Sequence, residues 1–280
     1  MPLVSSRRCG NDMDLPFGGI ILLPDHFKAI FFDLDGTLRH NLPSGGEFFA
    51  DYIIQLGMPL SHEDRLLGHR WEHYYWAYSP DLKADKQIYR EENGEFWRNY
   101  AKRQLIAFGA SNVQAAELGP KVSQYMEEFY RPQSVVPDDV KRTLPILQEK
   151  GYKLAVISNR DVPFQHEIEE LGLAPFFPFI LAGGEVNAWK PEPDIFLHAC
   201  RRLDVTPAES IYVGDNYFAD VVGSRNAGLQ PVLYDPRGIF PDAGCQTIKS
   251  FDDLPELLND RLKAILKNHS AMETGAQSGG

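Results

Sequence analysis

The chain has 280 residues and a formal net charge of -11, which excludes sequence-tolerant nucleic-acid binding through a broad basic face. Its three cysteines, Cys9, Cys200 and Cys245, form no CxxC pair, which argues against a disulfide framework or a cysteine zinc site and suits a reducing compartment. No apolar stretch approaches the ~20 residues that span a bilayer, and Asn11, Asp12 and Asp14 interrupt any signal-peptide core, so a cytoplasmic protein with neither membrane nor nucleic acid as partner is expected.

Residues 1–20 read as a loose tail. The first element is Ala29 to Phe32, an apolar run closed by Asp33-Leu34-Asp35-Gly36. Four apolar residues ending in a turn signal predict a buried strand of a parallel sheet covered on both faces. After Leu38 the strand pattern stops. Phe48, Phe49, Tyr52, Ile53 and Leu56 recur at helical spacing, as do Trp71, Tyr74, Tyr75 and Tyr78, and later Val122, Tyr125, Met126, Phe129 and Tyr130. Ile88 to about Phe108 reads as one long helix, with Gly57-Met58-Pro59, Ser79-Pro80 and Gly119-Pro120 as punctuation. Residues 41–134 are therefore expected to form a helical cap inserted into a core made of 21–40 and 135–268.

Strand–helix alternation resumes at Pro137. Val140, Leu144 and Leu147 line a helix stopped at Gly151. Strands are predicted at Lys153 to Ile157, Phe179 to Ala182, Ile211 to Val213 and Pro231 to Tyr234. Helices are predicted at Gln165 to Leu171, Pro193 to Leu203 and Phe218 to Ala227, and a last amphipathic one runs through Leu254, Leu257, Leu258, Leu262, Ile265 and Leu266. Residues 269–280 are polar and rich in Gly and Ser, and are expected to be disordered. The pattern predicts an α/β fold: a Rossmann-like three-layer core around a parallel sheet, with an all-α insert.

Strand ends gather at one edge of such a sheet, where ligands bind. They carry Asp33 and Asp35, Ser158 and Asn159, and Asp215. A strand-terminal carboxylate such as Asp33 can serve as a nucleophile, a metal ligand or both. Asp35, two residues on, can give a proton to a leaving group. Asp215 and Asp220 bring further carboxylates, and hard oxygen ligands with room for water suit Mg²⁺. Ser158 and the Asn159 amide can donate to an anionic oxygen, and Lys190 supplies a point charge. Nucleophile, proton donor, cation site, hydroxyl and lysine together describe phosphoryl transfer. Singly, each has a plainer reading: Asp35-Gly36 as a turn, Ser158-Asn159 as a helix cap, Lys190 as a solvated lysine, and Asp215 and Asp220 as helix-start acids. Those readings do not explain why all fall at strand ends in this order.

Asp33-Leu34-Asp35-Gly36-Thr37-Leu38, Ser158-Asn159, Lys190-Pro191 and Gly214-Asp215 followed by Asp220 resemble the four ordered motifs of the haloacid dehalogenase superfamily. The resemblance covers about residues 27 to 240, and the insert after the first motif is similar to the superfamily's C1-type cap. It implies that Asp33 attacks phosphorus and becomes an aspartyl-phosphate. Asp35 then acts as acid and afterwards as base, and Lys190 offsets the charge on Asp33 and the phosphate. Ser158 and the Asn159 amide hold the phosphoryl oxygens. Mg²⁺ is held by Asp33, the Asp35 carbonyl and Asp215; Asp220 joins the metal set directly or orders a metal-bound water or Lys190. The expected activity is Mg²⁺-dependent hydrolysis of a small phosphorylated metabolite by a monomer or homodimer. A phosphoglucomutase-type phosphotransferase is the alternative. A dehalogenase has no use for the acid Asp35, and a non-catalytic binding protein has no use for the full set.

Other residues carry weaker expectations. Trp71, Tyr74, Tyr75 and Tyr78 are expected in the bundle core, and Trp189 beside the site. His40 is expected as an exposed hinge residue, and Arg39 and Arg160 at the surface or against an anionic substrate.

Overall fold

The structure is a computed structural model that describes residues 27–89 and 93–259. The two expected tails, Cys9 and the last helix beyond residue 259 lie outside the described residues. No described helix is long and apolar enough to cross a membrane.

In chain order the elements begin with β1 (Ala29–Phe32), β2 (His40–Leu42) and the helices α1 (Gly45–Gln55), α2 (His62–Trp76), α3 (Pro80–Ile88), α4 (Glu95–Ala107) and α5 (Asn112–Phe129). They continue with β3 (Gln133–Val135), α6 (Asp138–Glu149), β4 (Lys153–Ser158), α7 (Gln165–Glu170), β5 (Phe179–Ala182), α8 (Gly183–Val186) and α9 (Pro193–Leu203). Last come β6 (Ser210–Gly214), a π-helix (Tyr217–Val222), α10 (Gly223–Asn226), β7 (Gln230–Tyr234) and β8 (Gln246–Ile248).

Six strands form a parallel sheet in the order β5-β4-β1-β6-β7-β8. All four residues of β1 are buried because both faces are covered. Ile30 and Phe32 pack with Val140, Leu144 and Leu147 of α6 on one face, and Ala29 and Phe31 pack with Ile195, Phe196 and Ala199 of α9 on the other. That period-two division is why the strand reads as a continuous apolar run. From β1 the chain goes outward through β4 and β5, then crosses to β6 on the opposite side. The crevice between the ends of β1 and β6 is thus the switch point of the sheet.

Helices α1–α5 make up the insert, entered through β2 and left through β3, which pair antiparallel. One of its cores joins Phe49 and Ile53 to Leu105, Phe108 and Val122; a second joins Tyr75, Leu82, Phe96 and Tyr100. Ser44, Ser61, Ser79 and Ser111 start four of the helices, each hydroxyl accepting from a backbone N–H of the first turn. Each cap of this kind is worth about 1 kcal/mol.

The elements depart from expectation at four places. The long helix from Ile88 is broken: α3 ends there, and α4 starts after Gly94, whose φ of 71° leaves the helical region. Gly119-Pro120 does not punctuate but lies inside α5. A Cβ on Gly119 would sit 2.5 Å from Lys102 Cγ, so the glycine serves close approach of α4 rather than a turn. Phe218 to Ala227 is a π-turn followed by the short α10, stopped at Gly228. The strands β2, β3 and β8 carry too few apolar residues to announce themselves, and their pairing depends on the partner.

Candidate active site

Asp33 follows β1 directly, its N–H donating to Val213 O at 2.9 Å. Lys190 reaches it from the loop before α9. Its buried ammonium donates to Asp33 Oδ1 at 2.6 Å, Asp220 Oδ1 at 2.7 Å and the Tyr212 hydroxyl at 2.9 Å. Three donors meet three acceptors, so the charge is fully satisfied. Burial opposes the ammonium, but Asp220 and Asp33 outweigh it and lift its pKa well above the usual lysine value. Tyr212 in turn donates to Ile157 O at 3.1 Å, tying the lysine to β4.

Asp215 follows β6 across the crevice. The Thr37 hydroxyl bridges the two strand ends: it accepts from Asp215 N at 3.0 Å and donates to Asp215 Oδ1 at 3.2 Å. Gly36 makes the approach possible, because a Cβ there would lie 2.4 Å from Asp215 Oδ2. Its φ of 89° also favours glycine. Asp220 sits on the π-helix, a geometry frequent at functional sites. One of its oxygens takes the Lys190 ammonium, and the other accepts from Asn216 N at 2.9 Å.

Carboxylate oxygens of Asp33, Asp215 and Asp220 lie within 4.8 Å of one another. Burial pushes Asp33 up to about 7 despite Lys190, and burial with the neighbouring Asp33 and Asp220 pushes Asp215 well above the carboxylate range. Three carboxylates face one ammonium, so the site holds more negative charge than its own cation balances. A hard, oxygen-only set drawn from separate strand ends is the donor chemistry that a divalent cation such as Mg²⁺ takes.

Asp35 stands apart at the cavity mouth, its side chain 45% exposed. Arg160 donates to both of its oxygens at 3.0–3.1 Å, and Arg39 pairs with it at 3.0 Å. Glu167 of α7 holds both arginines in place, Arg39 at 3.2 Å and Arg160 by a short contact. Ser158 is buried at the end of β4. The Asn159 side chain clamps the backbone of Lys190, accepting from its N–H at 2.6 Å and donating to its carbonyl at 2.7 Å.

Above these residues lies a cavity of about 540 Å³, walled by the sheet edge below and by Asn41, Gly45, Glu72, His73, Trp76 and Tyr78 of the insert above. Its size is ordinary for a small-molecule site. The insert rests on the core through a handful of contacts. Arg70 Nε donates to Ile239 O at 2.7 Å, and Asn216 Nδ2 to His73 O at 2.8 Å. Tyr78 stacks on Trp189 with centroids 4.8 Å apart, and Tyr74 meets Phe218 edge-on at 5.6 Å.

The strand ends thus bring Asp33, Lys190, Asp215 and Asp220 into direct contact or near contact, with Ser158, Asn159 and Asp35 around the same cavity. Two outcomes differ from expectation. The aromatic stripe is divided: Tyr75 and Trp71 pack inside the insert, Tyr74 reaches across to the core, and Tyr78 packs on the insert's second cluster while stacking on Trp189. His40 is half-buried rather than exposed, its ring against Tyr234 and its Nε2 3.2 Å from Thr37 O. Thr37, Tyr212, Asn216, Glu167 and His73 were not singled out by sequence. A hydroxyl in the apolar run Ile211-Tyr212-Val213 was a usable signal, since a buried tyrosine needs a partner for its O–H.

The clustered carboxylates thus stand at the switch point of an open α/β sheet, where such folds bind their ligands. The chain belongs to the haloacid dehalogenase-like hydrolases, whose family model matches residues 27–228. It is 32% identical over 215 residues to a ribulose-1,5-bisphosphate 5-phosphatase of Halopiger xanaduensis, covering 74% of this chain and 84% of that one. A glyceraldehyde 3-phosphate phosphatase of Methanothermobacter thermautotrophicus is 31% identical over 214 residues, with the same coverage of 74% and 84%. Among solved structures, a predicted phosphoglycolate phosphatase from Haemophilus somnus shares the fold, with a TM-score of 0.52 at 22% identity over 85% of this chain and 99% of that one.

Proposed function

We propose that the protein is a Mg²⁺-dependent phosphatase that hydrolyses a small, soluble phosphate monoester through an aspartyl-phosphate. The observation that carries this reading is Asp33 held by Lys190 at 2.6 Å, with the Asp215 and Asp220 carboxylates beside it at the crevice between β1 and β6. Both relatives named above are phosphatases of small phosphorylated metabolites, which supports the same class here.

Asp33 attacks phosphorus. A bond forms between its carboxylate oxygen and phosphorus as the phosphorus–ester oxygen bond breaks. Asp35, released from Arg160 and Arg39 and carrying a proton, gives it to the leaving oxygen. Water then attacks the acyl phosphate, Asp35 takes up a proton from it, and phosphate leaves with Asp33 restored. The Ser158 hydroxyl and the Asn159 amide orient the phosphoryl oxygens. Lys190, fixed by Asp220, Tyr212 and the Asn159 clamp, offsets the charge on Asp33 and on the phosphoryl group. Asp33, Asp215 and the Asp35 carbonyl would hold Mg²⁺, which when bound neutralises phosphoryl charge. Asp220 lies within reach of that set, but its two oxygens are engaged by Lys190 and Asn216 N, so it acts mainly through the lysine. The insert closes the cavity over the substrate and excludes bulk water.

Phosphate release from a panel of phosphate monoesters tests the reading. Release that needs Mg²⁺, stops with chelator and is lost in Asp33→Asn is the expected result. Absence of release from every ester, with phosphate passed instead to a sugar acceptor, would overturn it in favour of a phosphotransferase.

A further inference from the structure

Most polar side chains of the insert that line the cavity already have partners. Asn41 accepts from Arg39 at 2.6 Å, Ser44 caps α1, Trp76 donates to Tyr100, and Lys86 meets Asp161. His73 differs. It is the one buried polar residue that the insert contributes to the cavity wall among the described residues, with 8% of its surface exposed. Neither ring nitrogen is hydrogen-bonded to a described residue; Nδ1 is fully buried, which leaves Nε2 as the nitrogen a ligand in the cavity can reach. A nearly buried imidazole without a partner calls for an explanation, and for a ring that lines a cavity the natural one is a ligand.

The ring is held firmly in place. Its face meets Phe240 edge-on at 5.4 Å, and the backbone carbonyl of His73 accepts from Asn216, the residue after Asp215. The core's own site loop therefore positions this histidine. Burial keeps the imidazole neutral, with its pKa lowered to about 4. A neutral imidazole offers one N–H donor and one acceptor nitrogen. Glu72, next in the chain and lining the same cavity, adds a carboxylate that disfavours a second anion. Arg237, which lines the same cavity, has its charge shared with Glu47 at 3.8 Å.

We propose that His73 recognises the part of the substrate beyond the phosphate, and that it selects an uncharged hydroxyl or carbonyl oxygen over a carboxylate or a second phosphate. This rests on the phosphatase reading and narrows its substrate class to short, hydroxylated or carbonyl-bearing phosphate esters.

The test compares kcat/KM for dihydroxyacetone phosphate, propyl phosphate and phosphoglycolate in the wild type, His73→Phe and His73→Gln, with melting temperatures alongside. The wild type is expected to favour dihydroxyacetone phosphate. In His73→Phe its advantage over propyl phosphate should fall roughly ten- to a hundredfold, the loss expected when a site built to hydrogen-bond an oxygen can no longer do so. His73→Gln, which restores a donor and an acceptor, should recover part of it. A parallel fall for all three esters, or an unchanged ratio, overturns the inference while propyl phosphate turnover still supports the phosphatase reading. A wild type that prefers phosphoglycolate, and loses that preference in His73→Phe, also overturns it. No release from any ester overturns the phosphatase reading and this inference with it.

Discussion

At the scale of single residues, Lys190 is the centre of a buried charge set. A buried ammonium with two carboxylates and a hydroxyl around it is stable only as a set. Removing one member of a buried charge set leaves the others uncompensated, at a cost of about 3–5 kcal/mol. Lys190→Met is therefore expected to lower stability by that amount in urea unfolding and to abolish phosphate release. A lysine variant with near-wild-type turnover would contradict the charge argument. Tyr212→Phe removes a lighter member, a hydroxyl that accepts from Lys190 and donates to Ile157 O. It should cost roughly 1–2 kcal/mol and reduce kcat several-fold, because the lysine loses one of its three fixed partners.

His73 has its own signature in pH. Its pKa is about 4 in the folded chain against 6.5 as the ordinary value, with burial as the main cause. Glu72 and Asp220 pull the other way, while Arg237 and His69 add to the lowering. Below about pH 6.5 the unfolded chain takes up a proton that the folded chain refuses, so stability is full above that pH and declines as pH falls toward 4. At ~1.4 kcal/mol per pH unit the total loss is about 3 kcal/mol. Urea midpoints at pH 7 and pH 5 should show the wild type losing more stability than His73→Gln. Equal losses would mean that His73 does not carry this linkage.

Among the elements, the π-turn after β6 links the site to the insert. Asn216 caps it, accepting from Phe218 N and Ala219 N at 3.0 Å, while its own amide donates to His73 O. One side chain thus shapes the turn that presents Asp220 and anchors the C-terminal part of α2. Asn216→Ala is expected to lower stability by about 1–2 kcal/mol, as loss of a cap does, and to raise KM more than it lowers kcat. Steady-state kinetics with the preferred ester would check it; an unchanged KM would show that α2 is held by its aromatic contacts alone. The strands β1, β4, β6 and β7 were legible because burial on both faces writes an apolar run into the chain itself. The π-turn was not, since Phe218 to Ala227 has an ordinary helical pattern, and the Asn216 cap and the Lys190–Asp220 contact that accompany the turn are not written in that pattern.

For the whole molecule the charge balance around the crevice matters most. Three carboxylates within 4.8 Å and a chain charge of -11 favour a bound divalent cation. A ligand that binds only the folded state adds about 2.7 kcal/mol at a hundredfold excess over its Kd. For a chain of this size that corresponds to a melting temperature higher by roughly 5 °C. Thermal unfolding with Mg²⁺ and with chelator should show this difference in the wild type and its loss in Asp215→Asn. A shift that survives in Asp215→Asn would move the cation site elsewhere.

The chain alone determined the α/β core, the helical insert, and the placement of Asp33, Ser158 and Asp215 at strand ends, because each follows from local periodicity and the turn residues that close it. Tertiary structure decided the rest. Asp35 is held by Arg160 from 125 residues away, Lys190 reaches Tyr212 across two elements, and His73 becomes a wall of the cavity only when Asn216 and Phe240 meet α2. Local pattern records which face of an element is buried. It does not record which polar atom, far along the chain, will stand opposite, and hydrogen-bond partners are set by that juxtaposition alone.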